Sequence, residues 1–262
     1  MIIIANNPLV IDSILNTYPV YSIERKILQI MSQSNSAFRY DSVNQLKFEL
    51  RLRKEIIRAA RQLAQSRMSF KVFQQSICNE DYWERTRDGG FLVKRGVKSS
   101  TAINDIYNNG YKYGTECATA MMIVYYKALL SVFPENDFNE LFPRIHLMNW
   151  HYIYPIIEDV GYMRNTEEYL PGDRRYFHNP DVDPETIEFQ GENVIDLGDG
   201  LYYGHGMGIQ NAQTIIRALN SLRMEGADES AYLLDSVGRP DFKNLSDTYD
   251  SMVLPVSLLE AI

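Results

Sequence analysis

A chain of 262 residues with 45% hydrophobic and 12% aromatic residues can bury a full core, which excludes a largely disordered protein. The net charge of −8 and the isoelectric point near 5.1 argue against nucleic acid as a partner. The apolar start over residues 1–4 is too short for a signal peptide, and no stretch reaches the ~18 apolar residues of a membrane span. We therefore expect no membrane partner and a protein that begins in the cytosol.

The N-terminal third is predicted to be mainly helical. Ser42 followed by Gln45 forms a capping box that opens a helix to about Arg67, with apolar residues at helical spacing. A shorter helix is predicted over residues 70–77. The apolar residues 91–93 follow a glycine-rich turn and predict a strand.

Three further helices are predicted before the middle of the chain. Ser100 starts a helix that stops at the terminator Asn108-Asn109-Gly110. The next helix begins at Cys117 and continues through residues 121–130. Because it is apolar on every side, it is predicted to be buried. A brief helix is predicted over residues 136–142.

From Arg144 onward the sequence favours strands and turns. Residues 192–197 and 201–207 alternate around Gly198-Asp199-Gly200, which predicts a hairpin. The remaining predicted elements are strands over residues 145–150, 175–177 and 231–234 and a helix over residues 214–223.

This order of elements predicts an α+β fold. Papain-like folds share the layout, with a nucleophile helix packed on an antiparallel sheet and a helical N-terminal part. We expect a single domain over residues 1–262. It would comprise a mainly helical part over residues 1–110, a catalytic core over residues 111–236 and a loose polar tail over residues 237–262.

Cys117, at the first turn of the buried helix, is the candidate nucleophile. A helix start presents unpaired N–H groups and a partial positive charge, so a thiol there is expected to lose its proton more easily. The thiolate is the form that attacks a carbonyl, which predicts a cysteine acyl-transfer site. Cys78 has no charged helper nearby and is interpreted as a small buried hydrophobe. No disulfide between the two is expected.

The group that exchanges protons with Cys117 stays open at this point. His205, flanked by glycines on a predicted strand, is the most suggestive of the four histidines, but a packing role is equally compatible with it. Glu192 at a strand start is compatible with simple solvation, and Glu116 with the helix dipole. His146 and His151 are interpreted as strand residues. These residues alone do not separate a peptidase from a transferase.

Six segments, in order along the chain to about Leu234, carry a family resemblance. They are Phe48-Glu49-Leu50-Arg51-Leu52-Arg53, Tyr113-Gly114-Thr115-Glu116-Cys117-Ala118-Thr119-Ala120, Asn149-Trp150-His151-Tyr152, Gly191-Glu192-Asn193-Val194-Ile195, Tyr203-Gly204-His205-Gly206-Met207-Gly208 and Ser230-Ala231-Tyr232-Leu233-Leu234. Together they resemble the spore-coat protein-glutamine γ-glutamyltransferases of Bacillus. The resemblance does not cover the tail after Ser236.

The resemblance implies a calcium-independent transglutaminase on a papain-related core, with no cofactor and no metal. Such an enzyme forms ε-(γ-glutamyl)lysine isopeptide bonds between spore-coat proteins. By this resemblance Cys117 matches the nucleophile and Glu192 the carboxylate paired with it. Glu116 matches a second carboxylate that can partly substitute, and His205 a histidine kept close to the site.

The resemblance also implies an apolar substrate tunnel. Trp150 matches one aromatic wall, and Asn193 is expected to contact the substrate. Phe189 stands where the family is expected to carry a second tryptophan, so it is expected to line the tunnel with Trp150 and contact the substrate. Asn149 stands where some members carry an aspartate. Both departures bear on the width of the tunnel and on substrate preference, and they leave the chemistry unchanged.

The implied reaction passes through a Cys117 thioester, with Glu192 protonating the ammonia that leaves. The implied partners are proteins that carry glutamine and lysine side chains, acted on by a monomer. The implied location is the cytoplasm of the sporulating mother cell and then the spore coat. Two rival hypotheses are kept: a papain-like peptidase or amidase that uses Cys117 and His205, and a non-catalytic structural coat protein.

Overall fold

The computed structural model describes residues 1–259, with side chains described up to Val253. The α-helices of this part are α1 (Asp12–Leu15), α2 (Ile23–Gln33), α3 (Val43–Gln65), α4 (Ser99–Asn108), α5 (Cys117–Val132), α6 (Glu135–Leu141), α7 (Ala212–Asn220) and α8 (Phe242–Leu259). Short 3₁₀ segments lie at Phe73–Gln75, Gly110–Lys112, Pro155–Gly161 and Pro184–Phe189. No helix in the described part of the chain is long and apolar enough to cross a membrane.

The strands are mostly short and form five small sheets. They are β1 (Ile2–Ile4), β2 (Asn7–Pro8), β3 (Phe38–Tyr40), β4 (Ser69–Phe70), β5 (Trp83–Arg85), β6 (Phe91–Val93), β7 (Gly114–Thr115), β8 (His146–Leu147), β9 (Arg164–Asn165), β10 (Arg174–His178), β11 (Gly191–Gly198), β12 (Leu201–Gly204), β13 (Gly208–Asn211), β14 (Tyr232–Leu233) and β15 (Ser236–Val237). The largest sheet has five strands in the order β13-β12-β11-β10-β14.

Helix α5 lies at the centre of the molecule, as its apolar sequence predicts. It packs between α3 on one side and β11 on the other, so apolar side chains are buried all round it. Its one basic residue, Lys127, reaches outward and donates a hydrogen bond to Asn104 at 2.6 Å. The contacts with β11 hold α5 against the five-stranded sheet.

The five-stranded sheet is antiparallel throughout and contains the predicted hairpin. Strands β11 and β12 are joined by Gly198, Asp199 and Gly200, whose φ values of 81°, 56° and 70° lie in the left-handed region that a tight hairpin turn requires. Strand β10 pairs with β11 so that Tyr176 is opposite Asn193. This register sets residues 192 and 193 facing the start of α5.

The N-terminal part combines the predicted helix with a small sheet that the sequence analysis missed. Ser42 caps α3 by accepting a hydrogen bond from the backbone N–H of Gln45 at 3.2 Å, as the capping box predicts. Strand β1 lies between β2 and β3 and packs with α2 and α3 around a second apolar cluster. The apolar start of the chain is therefore the central strand of a sheet.

Several predicted elements are shorter than expected. Only His146–Leu147 of the predicted strand over residues 145–150 pairs in a sheet, because the following residues turn away into a loop. The predicted helix over residues 70–77 is instead strand β4 followed by one 3₁₀ turn, Phe73–Gln75.

The expectation of a loose tail over residues 237–262 is wrong for residues 237–259. Strand β15 pairs with β9, and α8 packs along α3. Phe242 and Leu245 are buried, and the Arg53 guanidinium lies 4.6 Å from the centre of the Phe242 ring. The segment looks polar because its charged residues lie on the exposed face of α8, while apolar residues at helical spacing face α3. Residues 260–262 of the predicted tail lie outside the described residues.

Candidate active site

Cys117 is the first residue of α5, and its side chain is half-buried. Glu116 is the N-cap: its carboxylate accepts hydrogen bonds from the backbone N–H groups of Ala118 and Thr119, the latter at 2.7 Å. Strand β7, which leads into the helix, is fixed by parallel pairing with β4. The cysteine backbone is therefore held on both sides.

The electrostatics of Cys117 differ from the sequence-based expectation of an acidic thiol. Burial raises the pKa of the Cys117 thiol far above its ordinary value, and the negative charges of Glu192 and Glu116 raise it further. The expectation is wrong because Glu116 occupies two free N–H groups of the helix start and adds a negative charge there. Burial and the two negative charges therefore favour the neutral thiol over the thiolate.

Glu192 lies at the start of β11, close to Cys117, and is only 3% exposed. Its Oε1 atom has no hydrogen-bond partner among the described residues. Room for the carboxyl group comes from Gly204 on β12, where a Cβ atom would lie 2.8 Å from Oε1. Burial and the charge of Glu116 raise the pKa of Glu192 well above its ordinary value, although the backbone amide of His205 opposes the shift. Glu192 is thus suited to carry and donate a proton.

Asn193 brings a polar donor to the sulfur. Its Nδ2 atom donates a hydrogen bond to Cys117 Sγ at 3.5 Å, while its Oδ1 atom accepts one from Arg174 at 2.7 Å. The Arg174 guanidinium in turn lies 4.2 Å from the centre of the Trp150 ring. The expected substrate contact Asn193 and the expected wall Trp150 are therefore linked through one buried arginine.

A cavity of about 310 Å³ opens at the Cys117 thiol. It is lined by Phe70, Phe73, Glu116, Cys117, Ala118, Asn149, Trp150, Tyr176, Glu188, Gln190, Gly191 and Asn193. Aromatic rings and carboxylates share this lining, so the space can accept an apolar chain that ends in an amide or an amine.

Phe189 and Asn149, the two residues that depart from the family pattern, have different surroundings. The Phe189 ring does not line the cavity; it stacks against Phe70, with ring centres 5.7 Å apart, and Phe70 forms the wall. Asn149 lines the cavity and has a φ of 50°, a conformation that asparagine tolerates better than most residues. Its side-chain oxygen accepts a hydrogen bond from the backbone N–H of Trp150 at 2.8 Å, which fixes the position of the tryptophan.

His205 is buried beside this site but is engaged elsewhere. Its Nε2 atom donates to the carbonyl of Ser69 at 3.1 Å, so its Nδ1 atom accepts from the Tyr203 hydroxyl at 3.1 Å. Burial lowers the pKa of His205 to about 4. Both ring nitrogens of His205 therefore have partners other than Cys117, which does not favour His205 as the base on the thiol.

The other candidates lie outside the cavity lining. His146 stacks on Tyr152 with ring centres 4.1 Å apart, and His178 belongs to β10. Cys78 is half-buried, and burial raises the pKa of its thiol to about 11. Within residues 1–259 no group of three or more His, Cys, Asp or Glu side chains is arranged to hold a metal ion.

Arg174 and Phe70 are parts of the site that were not predicted from the sequence. Phe70 gives no signal, because its segment has a pattern typical of a helix. Arg174 gives one weak signal: two adjacent arginines precede aromatic residues in a strand that the fold places inside a sheet, between β11 and β14. A charged pair is unusual on such a strand.

Comparisons with known proteins give a consistent result. A family model described as protein-glutamine gamma-glutamyltransferase matches residues 1–249. A curated protein of that name from Bacillus mycoides is 43% identical over 246 residues, which cover 93% of this chain and 88% of that protein. Another of that name from Halalkalibacterium halodurans is 41% identical over 239 residues, covering 91% and 82% respectively.

A solved structure is also similar to this chain. It is a transglutaminase from Geobacillus stearothermophilus, without its C-terminal extension, with a TM-score of 0.74 and 46% sequence identity. The similarity covers 79% of this chain and 97% of that one. The predicted α+β, papain-like core, with helices beside an antiparallel sheet, is confirmed by this match.

Proposed function

Because the chain belongs to the protein-glutamine gamma-glutamyltransferase family, we propose that it joins glutamine and lysine side chains of proteins through a Cys117 thioester. The observation that carries this mechanism is the set of groups around the sulfur. A neutral thiol, a buried carboxyl group and an amide donor surround it, and the nearby imidazole is occupied elsewhere. A peptidase that uses Cys117 and His205 would need that imidazole free.

In the first step the side-chain amide of a substrate glutamine enters the cavity. Cys117 sulfur attacks the amide carbon, and the thiol proton passes to the carboxylate of Glu116. Glu192 gives its proton to the amide nitrogen, the carbon–nitrogen bond breaks, and ammonia leaves. The enzyme then holds a thioester, a carboxylate at Glu192 and a carboxylic acid at Glu116.

The tetrahedral intermediate carries a negative oxygen that needs hydrogen-bond donors. The Cys117 backbone N–H, at the first position of α5, is one donor. The Nδ2 atom of Asn193, 3.5 Å from the sulfur, is the second. Such paired donors stabilise developing charge in acyl transfer by several kcal/mol.

In the second step a lysine ammonium gives one proton to the Glu192 carboxylate and becomes a nucleophilic amine. Its nitrogen attacks the thioester carbon, its second proton passes to the sulfur as the carbon–sulfur bond breaks, and Glu116 releases its proton to ammonia. The products are an isopeptide and an ammonium ion. The aromatic walls Phe70 and Trp150 exclude water from the thioester, which favours the amine over hydrolysis.

Calcium independence is part of the proposal, since nucleophile, acid and oxyanion donors are all side chains or backbone of this chain. We also propose that the substrates are spore-coat proteins, that the enzyme is a monomer, and that it acts in the sporulating mother cell and then in the coat. The Bacillus relatives support this biological setting. Spores from a strain that carries only the Cys117→Ala variant should release more monomeric coat protein on denaturing gels.

The activity is tested with a glutamine-donor peptide, a labelled primary amine and a calcium chelator. We expect amine incorporation and a thioester mass adduct on Cys117. Hydrolysis without amine incorporation would favour an amidase. Full activity in Cys117→Ala would exclude the mechanism, and dependence on added calcium would refute that part alone.

A further inference from the structure

Two adjacent arginines on β10, Arg174 and Arg175, are both buried. Arg174 is 2% exposed and Arg175 is 4% exposed. Neighbouring residues of a strand alternate between the two faces of the sheet. Arg174 bonds the cavity residue Asn193, whereas Arg175 bonds the carbonyls of Ser236 and Leu234 on the other face.

The Arg174 guanidinium contacts Asn193, two backbone carbonyls and the Trp150 ring. One Nη atom donates to Asn193 Oδ1 at 2.7 Å, and the other donates to the carbonyls of Val160 at 2.9 Å and Tyr162 at 3.2 Å. The guanidinium plane covers the Trp150 ring. A lysine ammonium has no planar fork and cannot reproduce this set.

No carboxylate forms an ion pair with Arg174 in the described part of the chain, and its buried Nε atom has no acceptor there. Burying an unpaired cation is costly for stability. Arg175 also lacks an ion pair in the described residues, so the feature that distinguishes Arg174 is its bond to Asn193 beside the Cys117 sulfur.

The contact with Arg174 determines how Asn193 is oriented. An arginine only donates hydrogen bonds, so Asn193 must turn its oxygen toward it. Its NH₂ group is then directed at Cys117 Sγ. Burial lowers the pKa of Arg174, and negative charge on Tyr125 or on Cys117 opposes this change, so the guanidinium lies within electrostatic range of the sulfur.

We propose that Arg174 is a positioning residue of the transferase site: it directs the Asn193 amide toward the Cys117 sulfur and holds the Trp150 wall. It is also the positive charge that offsets the two carboxylates when the thiolate forms. This inference rests on the proposed transferase function.

The test compares Arg174→Lys with Arg175→Lys, its matched control. Arg175 is equally buried, bonds two carbonyls and stacks on Tyr169 at 3.8 Å. We expect Arg174→Lys to lower kcat for amine incorporation by about 100-fold, the effect of a lost oxyanion donor, and to change KM little. The rate of iodoacetamide alkylation of Cys117 at a fixed pH of about 8 should fall by about tenfold, because losing one hydrogen bond to the charged sulfur raises the pKa of the thiol. Arg175→Lys should move neither value.

A double-variant cycle separates positioning from general structural damage. In the Asn193→Ala background, Arg174→Lys should lower kcat by much less than 100-fold, because the donor it directs is gone and only the support of Trp150 remains to be lost. Multiplied losses, or equal behaviour of the two lysine variants, would overturn the inference. If Arg174→Lys does not fold, Asn193→Asp serves instead. It supplies a carboxylate to Arg174, so the melting temperature should rise while alkylation slows, and a fall in melting temperature would refute the contact.

The two proposals fail in distinguishable ways. If the wild type incorporates no amine, the transferase function fails, and the alkylation measurements still test whether Arg174 acts on Cys117. If the wild type is active and Arg174→Lys matches it, only the role of Arg174 is refuted.

Discussion

Replacing Glu192 with glutamine removes a buried carboxyl group and keeps its shape. In the folded protein, burial and the charge of Glu116 raise the pKa of Glu192 well above its ordinary value of 4.5. A carboxyl group with a raised folded pKa contributes its stability fully below the unfolded pKa and loses it as the pH rises through the folded pKa. Glutamine does not titrate, so the variant is expected to gain stability relative to the wild type as the pH rises.

The size of this effect follows from the difference between the folded and unfolded pKa of Glu192. Each pH unit by which the folded pKa exceeds the unfolded pKa adds about 1.4 kcal/mol to the relative gain in the free energy of unfolding. Urea unfolding of both proteins between about pH 4 and pH 9 measures it. Glu188→Gln is the control, because Glu188 lines the same cavity but is exposed. Parallel curves for Glu192→Gln and the wild type would refute the burial argument.

The same variant tests the proton-transfer role. General acid catalysis contributes about 10²–10⁴ in rate, and Glu116 can supply part of it, so we expect kcat for amine incorporation to fall by about 100-fold. Thermal unfolding at low pH, where Glu192 is protonated in the wild type, should be similar for both proteins. Near-normal kcat in Glu192→Gln would remove the carboxyl group from the mechanism.

Three further predictions follow from the contacts of the site and of α8. Glu116→Gln should speed iodoacetamide alkylation of Cys117 at neutral pH, because a negative charge that raises the thiol pKa is removed; a slower reaction would contradict this. Gly204→Ala places a Cβ atom 2.8 Å from the Glu192 carboxyl and should lower kcat by about 10-fold with a stability loss of about 1–3 kcal/mol; unchanged kinetics would show that the carboxyl has room. Phe242→Ala should destabilise the protein by about 3 kcal/mol in urea unfolding, whereas a loose tail would give no change.

The fold was predictable where local patterns and burial agree. The capping box at Ser42, the buried helix at Cys117 and the Gly198–Gly200 hairpin all depend on residues close in sequence. The sheet around β1 was not predictable, because three short strands, the last separated from the others by two helices, leave little periodicity. Helix α8 was not predicted for a related reason. Its apolar residues can be recognised as one face only when the packing of α8 along α3 is known.

The residues of the site were predictable from the sequence, but the pKa of the thiol among them was not. The family resemblance brought Cys117, Glu192 and Asn193 together, and the structure places them in contact or within electrostatic range. The pKa of the thiol could not be predicted, because it depends on three-dimensional burial and on which groups occupy the helix start. The engagement of His205 with Ser69 likewise depends on a contact between residues 136 positions apart.

Glu116 explains why a cysteine at a helix start is not activated at rest. Its carboxylate takes the two N–H groups that would otherwise stabilise a thiolate, so the cap stabilises the helix and opposes ionisation of its neighbour. A neutral thiol resists oxidation and reacts slowly with adventitious electrophiles. In the mechanism we propose, ionisation accompanies the entry of an amide whose oxygen meets the N–H of Cys117 and the NH₂ of Asn193. By that mechanism the sulfur becomes nucleophilic chiefly when a substrate is present, which would limit unwanted reactions of an enzyme whose proposed products are isopeptide cross-links.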